Sequence, residues 1–442
     1  MKPLTASTIA LLTINVTALS TWATEELYFR SVPAFHVVLA LVLASCVLLA
    51  PIIFARFTLG EFRTVLLLRF VMLVALAYLV LRLPANAGWF SASNSAFRAV
   101  AACVISALLI RYGRISESVW QRAVRAVLVG CAAFVVAPVI WRQVAADTVV
   151  WNPVVPTAQA SAGSVHNKVI VIFDELGDTA SAPIVQVLKQ QGLEVATSSL
   201  KPAGPSTLMV IPSMLTGLDF SEAMVCGLSS ICSGSHALDF SKIRAGQSDI
   251  DVVGWYHPYC EIQGLRFCNV ALIPHQHGNT FRSLADLYMK KLGHPLPDLR
   301  ADAERAYGVQ NNIVRAQLDA ARQAPFWQNG GVLYLHLAMP HPPGLTLTGK
   351  LDSDYAGNID RSAEFTQELV KELRSRFDDD WALLITSDHP LRSWWCNSPH
   401  YRGTDCSLRP EFQTKRVPII VASRKTLPSL TIESNAQIFG WF

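Results

Sequence analysis

Two apolar runs end in side chains able to hold a cation. Residues 169–173 are β-branched or aromatic and stop at Asp174 and Glu175, and residues 382–389 (ALLITSDH) stop at Asp388 and His389. Carboxylates next to an imidazole make a ligand set suited to Zn²⁺ or Mn²⁺. Between these runs, Gly204-Pro205 leads into Ser206 and Thr207, which open an apolar, helix-like segment. A hydroxyl at a helix N-terminus, where backbone N–H groups attract anions, beside a metal-binding set suits attack on a phosphate or sulfate ester. Three histidines complete the chemistry-bearing set. His336 and His341 come from YLHLAMPH, and His400 sits twelve residues after Asp388, between Cys396 and Cys406. Taken singly, His336 and His341 read as structural. Weaker candidates are His275, His277, Asp178, Tyr256 and His257, read as solvated or structural.

These residues need elements that bring them together. Short apolar runs at 168–173, 193–198, 251–256, 331–337, 381–386 and 417–421 read as buried strands. Helical patterns at 181–191, 207–216, near 280–292, 299–323 and 358–377 are interspersed with them. Such alternation implies a mainly parallel α/β sheet, and ligands of open parallel sheets lie beyond the strands' carboxyl ends. Asp174, Asp388 and His341 all fall at such ends.

The first third has a different character. The 442-residue chain is 51% hydrophobic and 16% charged. Residues 1–142 hold 12 basic against 4 acidic side chains, a net of +8, and the remainder holds 25 against 29, a net of −4, matching the overall +4. The basic surplus therefore flanks apolar sequence and says nothing of nucleic acid. Five apolar segments, at 7–23, 33–54, 64–82, 97–110 and 124–141, read as about five membrane-spanning helices. A secretory signal accounts for the first alone, and four more follow. A cytoplasmic N-terminus puts eight basic residues inside (Lys2, Arg56, Arg63, Arg69, Arg111, Arg114, Arg122 and Arg125) and four outside (Arg30, Arg82, Arg98 and Arg142). This distribution obeys the positive-inside rule and leaves everything after residue 142 outside the cytoplasm. The expected division is a transmembrane domain at 1–142, a linker along the membrane surface at 143–166, and a catalytic domain at 167–442.

Cysteines point to the same side of the membrane. Six of nine fall in close pairs, Cys226/Cys232, Cys260/Cys268 and Cys396/Cys406, which read as three local disulfides in an oxidising compartment. The other three, Cys46, Cys103 and Cys131, lie in apolar stretches and read as packing residues.

The order of motifs resembles the membrane-anchored, sulfatase-like branch of the alkaline phosphatase superfamily, and most of all the lipid A phosphoethanolamine transferases of Gram-negative bacteria. The motifs are a strand ending in acid, T-L-M-V-I-P-S-M, H-P-P, T-S-D-H, and a histidine in a cysteine-bounded loop. The resemblance implies a bundle of about five membrane helices and a periplasmic α/β domain of alkaline phosphatase/sulfatase type in the bacterial inner membrane. It implies Thr207 as nucleophile, because Pro212 and Met214 then fall where the family has Pro-Cys-Met. By the same resemblance Asp174 or Glu175, Thr207, Asp388 and His389 are metal ligands for one or two Zn²⁺ (Mn²⁺ as the alternative), and His341 and His400 act on the substrate. The implied activity moves a phosphoethanolamine-like headgroup from a membrane phospholipid to an envelope lipid or glycan such as lipopolysaccharide, through a phospho-threonine. Alternatives are a phosphodiesterase or sulfatase-like hydrolase and a silent lipid-binding regulator of the same fold. Three positions depart from the family pattern: Phe-Asp-Glu replaces Gly-Glu-Thr, Pro390 follows His389, and Ser213 stands where a disulfide cysteine is usual.

Overall fold

The computed structural model describes residues 3–30, 34–86, 149–151, 166–271, 299–343, 348–393 and 408–425. Shorter stretches at 103–109, 120–122 and 125–126 and residues 129, 284, 395 and 401 are also described. His275, His277, His400, Cys131, the Cys396/Cys406 pair and most of the helix expected near 280–292 lie outside them.

The chain divides into two compact units. The first takes in residues 1–27 and 32–141, with a segment near 279–296. It contains helix α1 (Pro3–Arg30), except for its last turn, and helix α2 (Ala34–Asn86). Leu19 and Trp22 of α1 pack with Val37 and Ala40 of α2 and with Leu284. Among the described residues one stretch, Phe35–Val71, is long and apolar enough to cross a membrane, where the sequence reading expects five. It covers the second expected segment and enters the third, and at Gly60 the backbone leaves helical geometry (φ 78°, ψ 165°). Only glycine adopts that conformation without strain. Arg69, within the third expected segment, places its guanidinium 5.3 Å from the Trp120 ring centre. Cys46 and Cys103 are exposed on their helices rather than packed inside.

The second unit is built on a seven-stranded sheet. Its strands are β2 (Asn167–Asp174), β3 (Glu194–Leu200), β8 (Ile250–Trp255), β9 (Phe267–Ala271), β10 (Val332–Pro340), β11 (Trp381–Ser387) and β12 (Val417–Ser423). Their spatial order is β3-β12-β11-β2-β10-β8-β9. Only the pairings of β12 are antiparallel, so the mainly parallel sheet expected from the alternation is present.

Strand β2 lies at the centre and is buried on both faces. Val169, Val171 and Phe173 face one apolar core, and Ile170 and Ile172 face the other. A continuous rather than alternating apolar run is what a doubly covered parallel strand requires. The first face is covered by helices α3 (Ala182–Gln190), α5 (Leu299–Gln323) and α6 (Leu351–Phe377). The second is covered by α4 (Thr207–Thr216) and by residues around a small sheet of β4 (Met224–Val225), β5 (Ser230–Ser233) and β6 (His236–Asp239).

Within the stretch expected as a linker, the described residues include strand β1 (Val149–Trp151), paired in parallel with β7 (Ile243–Ala245). Trp151 is fully buried against Tyr334 and ties this segment to the second core. Two of the expected disulfides are formed, Cys226–Cys232 and Cys260–Cys268.

Candidate metal centre and nucleophile

Because β2, β8, β10 and β11 run in parallel, their carboxyl ends deliver their last residues to one edge of the sheet. There Asp174, Asp388 and His389 meet, all buried, with one ligand atom of each within 4.8 Å of the others. Helix α4 sets its first residue, Thr207, against them. Thr207 Oγ1 donates to Asp388 Oδ2 at 2.5 Å and lies 3.4 Å from His389 Nε2. No acidic residue occupies the first turn of α4, so its positive dipole end is unmasked. Ser206 adopts an extended backbone and makes no capping hydrogen bond through its side chain.

The tautomer of His389 follows from its partner. Nδ1 lies 3.0 Å from the Pro390 carbonyl oxygen, which only accepts, so Nδ1 carries the hydrogen. In the neutral ring Nε2 is then a lone pair, 3.5 Å from Asp388 Oδ2 and 3.7 Å from Asp174 Oδ1. Asp174 Oδ1 is buried without a hydrogen-bond partner, while Oδ2 accepts from Trp255 Nε1 at 2.7 Å. Three acceptor atoms converge with no donor among them, and a cation is the partner that satisfies such a set. Without one, burial, reinforced by Asp388 and Glu175, pushes the Asp174 carboxyl well above its usual range. Asp388 is also buried, but His389, His336 and the Thr207 hydroxyl outweigh desolvation and hold it below the usual range.

The two strand ends are stitched to each other. Ser387 Oγ donates to the Phe173 carbonyl at 2.7 Å and accepts from Leu176 N at 2.9 Å. Asp388 Oδ1 accepts from His389 N at 2.7 Å and from Glu175 N at 3.2 Å. Beneath them His336 is buried, with Nδ1 2.9 Å from the Tyr259 hydroxyl and Nε2 without a hydrogen-bond partner.

Glu175 does not join the cluster. It takes a left-handed backbone conformation (φ 68°), which swings its side chain away from that of Asp174. Its carboxylate accepts instead from Arg392 Nε and, at 2.7 Å, from Trp395 Nε1. Of the two acids considered from sequence, Asp174 is the one with an oxygen left for a metal. His341 lies on the other side of Arg392 from Glu175. Arg392 donates to His341 Nε2 at 3.4 Å, which places the ring hydrogen on Nδ1, a buried atom without a partner. Burial, with Arg392 and His389 adding to it, lowers the His341 pKa to about 4. His341 therefore stands as a neutral ring with a hydrogen on Nδ1 to donate.

Ser213, where the family pattern has a disulfide cysteine, braces α4 by other means. Its Oγ donates to the Met209 carbonyl at 2.9 Å and accepts from Phe220 N at 3.2 Å. Sequence reasoning missed Trp255, Arg392 and Trp395 altogether and read His257 as structural. Applying the strand-end rule to β8, as to β2 and β11, singles out Trp255 and His257; nothing in the sequence singles out the other two.

No family model and no curated protein matches the chain. Solved structures do. Lipooligosaccharide phosphoethanolamine transferase A from Neisseria meningitidis matches at 14% identity over 78% of this chain and 67% of that one, with a TM-score of 0.38. The periplasmic domain of phosphoethanolamine transferase EptC from Campylobacter jejuni matches at 12% over 64% and 89%, TM-score 0.33. The PsFucS1 sulfatase from Pseudoalteromonas sp. matches at 13% over 64% and 68%, TM-score 0.37.

Proposed function

We propose that this chain is a membrane-anchored transferase that moves a phosphoethanolamine-like headgroup from a phospholipid to an envelope lipid or glycan. The observation that carries the reading is the Thr207 hydroxyl, at the unmasked end of α4, hydrogen-bonded to Asp388 within a donor-free set of acceptor atoms. The motif resemblance and the apolar N-terminal helices direct it to a lipid substrate. We place residues 1–142 as a multi-pass anchor in the bacterial inner membrane, 143–166 as a connecting segment, and 167–442 as the catalytic domain in the periplasm.

Asp174, Asp388, His389 and the Thr207 hydroxyl would hold the metal, with Zn²⁺ the ion suited to this mixed oxygen and nitrogen set. Such an ion makes a hydroxyl easier to ionise and offsets charge developing on phosphoryl oxygens. The chain's own groups do the rest. Thr207 Oγ1 forms a bond to phosphorus as the bond to the glycerol oxygen breaks. The threonine proton moves along its existing hydrogen bond to Asp388 Oδ2 and is passed to the departing oxygen. The α4 N-terminus and the Nδ1–H of His341 stabilise the equatorial oxygens. A hydroxyl or phosphate of the acceptor then reverses the sequence and frees Thr207, a two-step pattern that gives ping-pong kinetics.

Intact-protein mass spectrometry of the full chain mixed with phosphatidylethanolamine vesicles tests this reading. Wild type should gain a phosphoethanolamine mass on Thr207, and Thr207→Ala should gain none. Equal masses in both would remove the covalent scheme, and release of the adduct to water without any acceptor would recast the protein as a hydrolase.

A further inference from the structure

The last turn of α1 belongs to the catalytic unit rather than to the rest of its helix. Within that unit Tyr28 is buried, and its hydroxyl lies 3.0 Å from His257 Nδ1. His257 Nε2 lies 3.1 Å from the backbone carbonyl of Thr207. The carbonyl can only accept, so Nε2 carries the ring hydrogen, Nδ1 is a lone pair, and the Tyr28 hydroxyl donates to it. The order of donors is thereby settled along the whole line, from Tyr28 through His257 to Thr207.

The imidazole is held in plane as well. Phe240 stacks on it, with ring centres 5.4 Å apart and planes 16° from parallel. Phe29 packs on Tyr256 at 4.6 Å, and Tyr256 is one of only three non-glycine residues with positive φ (69°) among those described.

We infer that Tyr28, contributed by the end of the first N-terminal helix, is a positioning residue for the nucleophile. Through His257 it fixes the Thr207 carbonyl, and with it the aim of the Thr207 hydroxyl at Asp388. Losing the Tyr28 hydroxyl leaves His257 Nδ1 buried and unpaired and removes one of the two hydrogen bonds that hold the ring, so Nε2–H grips the Thr207 carbonyl less firmly. The inference rests on the reading of Thr207 as nucleophile, yet part of its test does not.

The test uses full-length protein in detergent, labelled with ¹⁵N-histidine, comparing wild type with Tyr28→Phe, His257→Gln and the double variant. In wild type the His257 signal, identified by its loss in His257→Gln, should report the Nε2–H tautomer, and in Tyr28→Phe that tautomer should stay while the Nδ1 resonance moves downfield as its hydrogen bond is lost. The rate of adduct formation from phosphatidylethanolamine vesicles should fall roughly tenfold in Tyr28→Phe, as for one buried hydrogen bond, with KM unchanged. The double variant should be no slower than His257→Gln alone, because the two residues act in series. An unchanged Nδ1 resonance in Tyr28→Phe, a rate within about twofold of wild type, or additive losses in the double variant would each overturn the inference. If wild type forms no adduct at all, the Thr207 reading falls and the Nδ1 resonance alone decides the role of Tyr28.

Discussion

Asp174 and Glu175 are neighbours of the same chemical type, and the structure gives them opposite tasks. Asp174 keeps one oxygen without a hydrogen-bond partner beside His389 and Asp388, whereas Glu175 is fully engaged by Arg392 and Trp395. Replacing either with its amide should separate the two. Glu175→Gln breaks the buried ion pair with Arg392 and should lower stability, by up to about 3–5 kcal/mol, while zinc still binds. Asp174→Asn should leave stability little changed but abolish the zinc-dependent rise in melting temperature. In wild type that rise corresponds to roughly 2.7 kcal/mol at a hundredfold excess of zinc over its Kd. Thermal melts with zinc and with a chelator check both. A zinc response lost in Glu175→Gln but kept in Asp174→Asn would reverse the assignment.

The site depends on elements whose ends are pinned. Strand β8 delivers Trp255 to Asp174 and is followed by the turn carrying His257, and the Cys260–Cys268 disulfide ties the next turn to β9. Tyr259 in that turn is buried, and its hydroxyl contacts both His336 and Tyr334. Gly254 permits this packing, since a Cβ there would lie 2.4 Å from the Tyr259 ring. Substituting both cysteines with serine releases a short loop and should lower stability by roughly 2–3 kcal/mol on the chain-entropy account. Because the turn carrying Tyr259 and His336's partner hydroxyl loosens, the variant should also lose adduct formation before it unfolds. Denaturant curves read beside the mass-spectrometric assay check this, and full activity in a destabilised variant would show that the turn does not hold the site.

At the scale of the second unit, three of the described histidines, His257, His336 and His341, are held neutral by their surroundings. Burial lowers the pKa of His257 to about 3 and of His336 and His341 to about 4. Unfolded histidine titrates near 6.5, so the unfolded chain takes up these protons first. The stability they confer is complete above about pH 6.5 and is lost as pH falls towards 4, each contributing up to about 1.4 kcal/mol per pH unit. Asp174, with its carboxyl raised, acts in the opposite sense, one group against three. The metal-free protein should therefore unfold at steadily lower denaturant between pH 7 and pH 5. A flat midpoint over that range would contradict the neutral burial of these rings.

Much of this was legible in the residues themselves. A strand of β-branched residues buried on both faces announces itself as an unbroken apolar run, and a strand's carboxyl end is where a parallel sheet carries chemistry. Residues 169–173 and 382–387 therefore pointed to Asp174, Asp388 and His389, and the apolar segment after Gly204-Pro205 pointed to Thr207 at the start of a helix observed at Thr207–Thr216. Local pairing of cysteines a few residues apart was equally readable, because short loops leave few alternatives. What only the tertiary structure decided was direction and company: that Glu175 turns to Arg392, that His341 is held neutral, and that Tyr28 reaches His257 across 229 positions of sequence. Periodicity records which face of an element is buried. It carries no record of which distant side chain shares that burial, because that partner is chosen by the packing of the whole chain.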